Sequence, residues 1–547
     1  MEEQIIQKPC VVQKIETPQG FSVSYKEHLL YSKYNPSKNI ISAVNNLQIL
    51  PGTVILCFSP LLGYGLNGLI QKLQENCLII LCEAEQALYD FSKADNQIRE
   101  ILNQNNISTI LEYTPAKLHD LPLDLYELCK SGKYKRVIKL DMSAGVQFNS
   151  DFYQRLFAAC TDSVMTFWKN RITLTRFGRR YSKNLLENLK YLSDSKPITD
   201  YFNSVQKPII VFGAGESTQK TIEALKAGST DLPDNYFILC ADTALQPLLK
   251  NGIKPDGVFV EEAQSVIVKA FTGTPKNIHI FAGLSSIPNL AHRTDSKNIS
   301  YFFTEYANGA FFNNLKAQTF MPPANKPFGS VGLTTVYYAL KFRANTNVPV
   351  YVTGLDFSYS AGITHTRGAL AHILRLCNSN RLSTLANYNA AYAYGTERIK
   401  DKSGKDFFTT ITLKSYAQMF NSFFGGTENL FDTGESGIKL EIPHADCPCT
   451  CTKTDNKFIA EIKNQNTSKQ HSATEFLLNE RRALETLRNL LTGKSELKGE
   501  ALLEEIKKIA APREYLYLHF ADGWQFSTDQ SFLNRIRTEI DFFLKHL

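Results

Sequence analysis

Between residues 207 and 353, six short apolar runs alternate with helical or polar stretches: Pro208–Phe212, Tyr236–Ala241, Gly257–Val260, Ile278–Ala282, Ile299–Phe303 and Val348–Val352. Runs of this length suit strands rather than helices, and their largely apolar character, interrupted by His279 and Ser300, suits strands covered on both faces. Strands separated by helices imply a parallel sheet, because parallel neighbours need a crossover connection that a helix supplies. The fold class is therefore α/β. The same pattern says where to look for chemistry: open parallel sheets bind ligands outside the carboxyl ends of their strands, near the point where strand order reverses.

Polar residues gather at those ends. Gly213-Ala214-Gly215-Glu216-Ser217 follows the first strand, Asp242-Thr243 the second and Glu261-Glu262 the third. Gly329-Ser330-Val331-Gly332 opens a helix through Leu340, and Gly354-Leu355-Asp356 follows the last strand, with Tyr359 and Thr364-His365 in the next loop. A Gly-Ala-Gly turn lets backbone amides approach a phosphate, and the helix behind it adds partial positive charge. Ser330 is either a helix N-cap or a second anion contact. No Gly-Lys-Ser/Thr occurs in the turn, so it is not a P-loop. Of ten histidines, His365 has the setting of a general base or acid. Asp356 could orient it, bind a ligand hydroxyl or simply cap its loop.

A chain of 547 residues exceeds one core, so further domains are expected. Thr53–Phe58, a glycine-bearing turn (Gly63, Gly65, Gly68), a helix and Cys77–Cys82 form a βαβ opening that ends on Glu83 and Glu85. In a working dinucleotide or S-adenosylmethionine domain that acid would bind ribose hydroxyls; no other cofactor signature follows, so this part reads as structural. We expect a Rossmann-like domain over 1–150, a helical connector over 151–206, the central domain over 207–445, and a linker with a helical domain over 446–547. Leu413–Phe424, the capping-box spelling Ser472-Ala473-Thr474-Glu475 before a helix through Leu491, and the face Leu533, Ile536, Ile540, Phe543 carry the helical reading.

The net charge of +7 is spread along the chain, which disfavours a nucleic-acid face. The N-terminus lacks the basic start and apolar core of a signal peptide, and no run reaches the roughly 18 apolar residues of a membrane span, so the chain reads as cytoplasmic. Eleven cysteines, several inside apolar strands, suit reduced thiols. Cys447-Pro448-Cys449-Thr450-Cys451 reads as an exposed loop rather than a zinc site, and Lys453–Lys469 as a linker.

The run Lys207–Ser217 resembles the Gly-Ala-Gly-Pro-Ser-Leu segment of the motility accessory factors, flagellin glycosyltransferases whose central domain is shared with 6-hydroxymethylpterin pyrophosphokinase-like proteins. Ala241–Ala244, Gly252–Asp256, Gly329–Val331, Gly354–Tyr359 and Thr364-His365 follow in the family's order, and Phe431–Ile438 is similar to its later Thr-Glu-Gly-Gly-Ala segment. Three positions depart from it: Glu216 replaces the usual Pro, Glu262 the usual Asp and Ser436 the usual Gly. Glu216 places a negative charge beside the turn unless its side chain points away.

The resemblance implies a sialyltransferase-like central domain that moves a pseudaminic- or legionaminic-type nonulosonic acid from a CMP-sugar to flagellin Ser/Thr. It implies His365, Asp356 and Glu262 as catalytic residues. Gly213, Ala214, Gly215, Glu216, Ser217, Asp242, Thr243, Ser330, Val331, Gly354, Tyr359, Gly434, Glu435, Ser436 and Gly437 would bind the nucleotide. No cofactor or metal is obligatory, because CMP leaves with its own phosphate. A pterin pyrophosphokinase reading would instead need ATP and Mg²⁺ on carboxylates such as Asp242, Glu262 and Asp356. A third reading is a non-catalytic flagellin-binding protein.

Overall fold

The structure, a computed structural model, describes residues 11–96, 98, 100, 132–228, 235–292, 298–446 and 472–547. The Cys447–Cys451 loop, the Lys453–Lys469 linker, His119 and His471 lie outside the described residues. The chain forms two compact units, Met1–Arg176 and Phe177–Leu547. They divide inside one 40-residue helix, Ser150–Leu189, within the stretch expected to be a connector.

The first unit opens with an antiparallel meander of β1 (Gln13–Thr17), β2 (Gly20–Tyr25) and β3 (His28–Leu29), which had no sequence expectation. Its parallel sheet has the order β5-β4-β6, from β4 (Thr53–Phe58), β5 (Leu78–Cys82) and β6 (Arg136–Asp141). The acid at the end of β5 is turned inward. Glu83 is buried and accepts hydrogen bonds from Ser59 Oγ (2.7 Å), Tyr153 OH (3.1 Å) and the Glu85 amide (3.1 Å). Protein donors occupy the carboxylate that a ribose would otherwise use.

The second unit holds an eight-stranded sheet, parallel throughout, in the order β12-β11-β10-β9-β8-β7-β13-β16. Its strands are β7 (Ile209–Phe212), β8 (Phe237–Ala241), β9 (Gly257–Val260), β10 (His279–Gly283), β11 (Ile299–Thr304), β12 (Ala324–Asn325), β13 (Val350–Thr353) and β16 (Leu430–Asp432). A separate hairpin joins β14 (Thr396–Lys400) to β15 (Asp406–Thr410). β16 follows the expected helix at Leu413–Phe424, where the sequence gives no sign of a strand. Three residues are too few to show a period, and only pairing with β13 identifies them as a strand.

Aromatic residues fill the core. Phe259 stacks on Phe281 with ring centroids 4.7 Å apart, beneath Tyr338 and Phe342 of the helix Val331–Phe342. The C-terminal helices Thr474–Leu491, Gly499–Ala510 and Gln530–Phe543 belong to this same unit. Glu514 ties them to it by accepting from the Ala310 (2.6 Å) and Phe311 (2.8 Å) amides at the start of the helix Ala310–Lys316. A Cβ on Gly309 would lie 2.4 Å from the carboxyl carbon of Glu514. Glu514→Ala is expected to cost about 1–2 kcal/mol, the worth of a lost helix cap, read from the guanidinium denaturation midpoint.

Candidate functional site

Strand order runs outward from β7 to β12 and then resumes at β13 on the other side of β7. The reversal therefore lies between β7 and β13, and the loops leaving these two strands meet there. Gly213 N donates to Thr353 O (2.8 Å), and Gly215 N donates to Gly354 O (2.8 Å). A Cβ on Gly213 would stand 2.3 Å from Gly354 O, and one on Gly215 2.6 Å from Asp356 Cγ. Gly437, from the loop after β16, approaches Asp356 from a third side, where a Cβ would stand 2.6 Å from Asp356 Cα. The glycines of the turn are thus required by close packing of protein loops. Three of its amides are already engaged, including Ser217 N on Asp356. Among the described residues, the amides of Ala214 and Glu216 have no recorded acceptor.

Asp356 joins the loops. It is buried, and its Oδ2 accepts from Ser217 N (2.8 Å) while its Oδ1 accepts from Ser217 Oγ. Ser217 Oγ also accepts from Gly354 N (3.0 Å). Burial pushes the Asp356 carboxyl up to about 6, outweighing the two hydrogen bonds from Ser217. Both carboxylate oxygens are used in this way, and neither is recorded bonding His365. His365 is half-buried, with Nδ1 3.2 Å from Thr364 Oγ1, and burial holds its pKa below the usual value. Thr366 N donates to Ala214 O (2.9 Å), which pins the His365 loop to the turn after β7.

A second group lies at the ends of β8 and β9. Burial pushes Asp242 up to about 7 against the hydrogen bond from the Thr243 amide (2.6 Å), with the charges of Glu262 and Glu261 adding to the rise. Glu262 Oε1 accepts from Gln264 N (2.8 Å) and so caps its own loop. Glu261, which sequence reasoning did not single out, accepts from Thr304 Oγ1 (2.5 Å) and from Thr334 Oγ1 (2.7 Å) in the first turn of the helix Val331–Phe342. Both glutamates follow the end of β9 at Val260, and of the two only Glu261 is recorded bonding this helix. The sequence offered no sign of which would do so.

Ser330 occupies the N-cap position in extended backbone, but its side chain makes no cap hydrogen bond. Of the two readings open for Ser330, the cap is not realised. Val331 begins the helix and is half-buried. Glu216 Oε2 accepts from Ser360 N (3.3 Å), so its side chain leans onto the β13 loop.

Of the other residues chosen from the sequence, Gly434 adjoins the junction, where a Cβ would lie 3.0 Å from Ser217 Oγ, while Glu435 is at the surface. Glu435 pairs with Lys220 at 2.6 Å, both largely exposed. Tyr359 OH donates to Ala390 O (2.8 Å) and braces the segment beyond His365. Gly434 N donates to Asp432 Oδ1 (2.9 Å), Lys402 pairs with Asp432 and donates to Gly434 O (3.1 Å), and Ser436 is half-buried beside them. Among the described residues, no three or more His, Cys, Asp or Glu side chains are placed to hold a metal ion. No helix among the described residues is long and apolar enough to cross a membrane.

Residues 183–362 match the family model of 6-hydroxymethylpterin diphosphokinase MptE-like domains. A protein of Treponema pallidum (strain Nichols), described as uncharacterized, is 30% identical over 560 residues, spanning 97% of this chain and 94% of that protein. Among solved structures, the MAf glycosyltransferase from Magnetospirillum magneticum AMB-1 superposes with a TM-score of 0.56 at 14% identity, covering 99% of this chain and 91% of that one. That likeness is one of fold.

Proposed function

The chain belongs to one family with the Treponema pallidum protein, carries the MptE-like domain of the motility accessory factors and has the fold of the MAf glycosyltransferase; from this we propose that it is a glycosyltransferase. Its donor is a CMP-activated nonulosonic acid of pseudaminic or legionaminic type, its acceptor a Ser or Thr hydroxyl of flagellin, and its compartment the cytoplasm. The observation that carries this reading is the junction of three loops at the strand-order reversal, where Thr366 N ties the His365 loop to Ala214 O in a turn whose Ala214 and Glu216 amides have no recorded acceptor.

In the proposed step, the acceptor hydroxyl oxygen bonds to the anomeric carbon as the bond from that carbon to the CMP phosphate oxygen breaks. The electron pair leaves with CMP. A neutral His365 imidazole takes the hydroxyl proton, and its lowered pKa keeps it neutral at physiological pH. The amides of Ala214 and Glu216 and the N-terminus of the helix Val331–Phe342 receive the phosphate charge. No metal enters this step.

Incubation with a CMP-nonulosonic acid and flagellin is expected to raise the intact mass of flagellin by one sugar residue. His365→Ala is expected to slow transfer by about 10²–10⁴-fold, the usual worth of a general base, while CMP binding is retained. An unchanged flagellin mass with wild-type protein overturns the reading. Pterin-dependent AMP release from ATP would replace it with diphosphokinase activity.

A further inference from the structure

The forty residues from Phe357 to Thr396 contain no Asp or Glu, whereas 53 acids in 547 residues would place about four there. The stretch holds three arginines, Arg367, Arg375 and Arg381. Its helix, Leu370–Asn378, buries no residue, although an amphipathic helix in a folded domain ordinarily buries its apolar stripe. Beyond the helix, Leu382 is 96% exposed, Tyr392 73% and Tyr394 108%. Single exposed apolar residues need no explanation, but a run of them on one segment marks an interaction surface.

The segment is nonetheless built onto the fold. Tyr359 OH holds Ala390 O, Asn387 N donates to Gly362 O (2.7 Å), and Tyr392 packs edge-on against Phe408 at 5.6 Å. Arg375 is used as an internal brace, donating to Leu385 O and Ala386 O, both at 3.1 Å. Arg367 and Arg381 are exposed and have no recorded ion pair among the described residues. The segment therefore offers tyrosine rings, leucine side chains and two guanidinium groups without a recorded ion pair, and carries no carboxylate of its own. It starts at the loop pinned to Ala214, so it continues directly from the candidate site.

We propose that the segment 361–396 is the docking surface for the acceptor, a polypeptide that presents acidic and apolar side chains around the hydroxyl to be modified. This rests on the glycosyltransferase reading for the word acceptor, but the docking itself is testable without it. Tyrosine and arginine are the residues that dominate protein–protein contacts. A membrane-surface helix would instead present a strongly charged polar face. The helix Leu370–Asn378 has one arginine, and that one is spent on Leu385 and Ala386.

The test uses the full chain and a fluorescein-labelled peptide of Ser, Asp and Leu, followed by anisotropy. A matched peptide with Lys for Asp and phosphatidylglycerol vesicles are titrated beside it. The double variants Leu382→Ser/Tyr394→Ser and Arg367→Glu/Arg381→Glu change exposed side chains only. Each is expected to weaken binding of the acidic peptide by about tenfold or more, with CMP binding unchanged. The Lys peptide is expected to bind weakly to wild-type protein. The proposal is overturned if wild type does not bind the acidic peptide, if both variants bind it like wild type, or if only vesicles respond to the variants. Variant-sensitive peptide binding without any sugar transfer would leave the surface standing and remove the glycosyltransferase reading. Sugar transfer with an unchanged KM for flagellin in both variants would do the reverse.

Discussion

Gly354→Ala is expected to destabilise the second unit by about 3 kcal/mol or more and to abolish CMP binding, as read from denaturation midpoints and calorimetric titration. Two costs combine. Gly354 has φ +73°, a backbone region that an L-residue with a side chain enters only under strain. A Cβ there would also lie 2.0 Å from Thr218 Oγ1 and 2.5 Å from Gly213 O. The hydroxyl can rotate away, but the carbonyl belongs to the turn that forms the site, so relief requires the β7 and β13 loops to separate. Gly404→Ala isolates the first cost, because Gly404 has φ +79° with nothing within 4 Å of the new methyl. It should cost only about 1 kcal/mol and leave CMP binding intact. Equal losses in the two variants would show that the junction is not tightly packed.

Asp356→Ala is expected to have a comparable effect for a different reason. It strands the amide and hydroxyl of Ser217 in a buried place, each unsatisfied donor costing about 1–3 kcal/mol. CMP binding should fall at least about tenfold as the three loops lose their common partner. Asp356→Asn separates charge from shape.

In the folded protein the Asp356 carboxyl is pushed up from 3.8 to about 6 by burial, so between those values the folded form keeps a proton that the unfolded chain has lost. Stability from this group is therefore present at low pH and is lost as pH rises through about 4 to 6. Asp242, pushed up from 3.8 to about 7, extends the same trend to neutral pH. Denaturation midpoints of wild-type protein should fall across this range. In Asp356→Asn the part below pH 6 should flatten, and in Asp242→Asn the part up to pH 7. Substitutions that leave the wild-type pH profile unchanged in these ranges would contradict the two assignments.

The central sheet was legible because a parallel strand covered on both faces is apolar along most of its length. That is why Pro208–Phe212 and Gly257–Val260 appear as unbroken runs. β12 and β16 were not, since two or three residues at a sheet edge carry no period of their own. The meander β1–β3 escaped for a related reason: most of its residues are exposed, so no buried face imprinted itself on the sequence.

The site shows the same division. Strand-end position followed from the alternation alone, and it gathers Gly213, Gly215, Ser217, Gly354 and Asp356 at one edge. Their roles did not follow. The turn's glycines looked like space for a phosphate, yet they accommodate the Gly354 loop. Asp356 looked like a partner for His365, yet it bonds Ser217 across 139 positions of sequence. Glu262 was preferred to Glu261, although Glu261 is the one that reaches Thr304 and Thr334.

The alternation of strand and helix, and with it the sheet edge that carries the candidate site, was legible from the residues alone. Those properties depend on residues close together in the sequence. Which amides find no acceptor, which carboxyl is buried enough to hold a proton near neutral pH, and which glutamate faces the helix were decided only by the tertiary structure. Each depends on a contact between loops far apart in the chain, and burial and steric crowding exist only once those loops have come together.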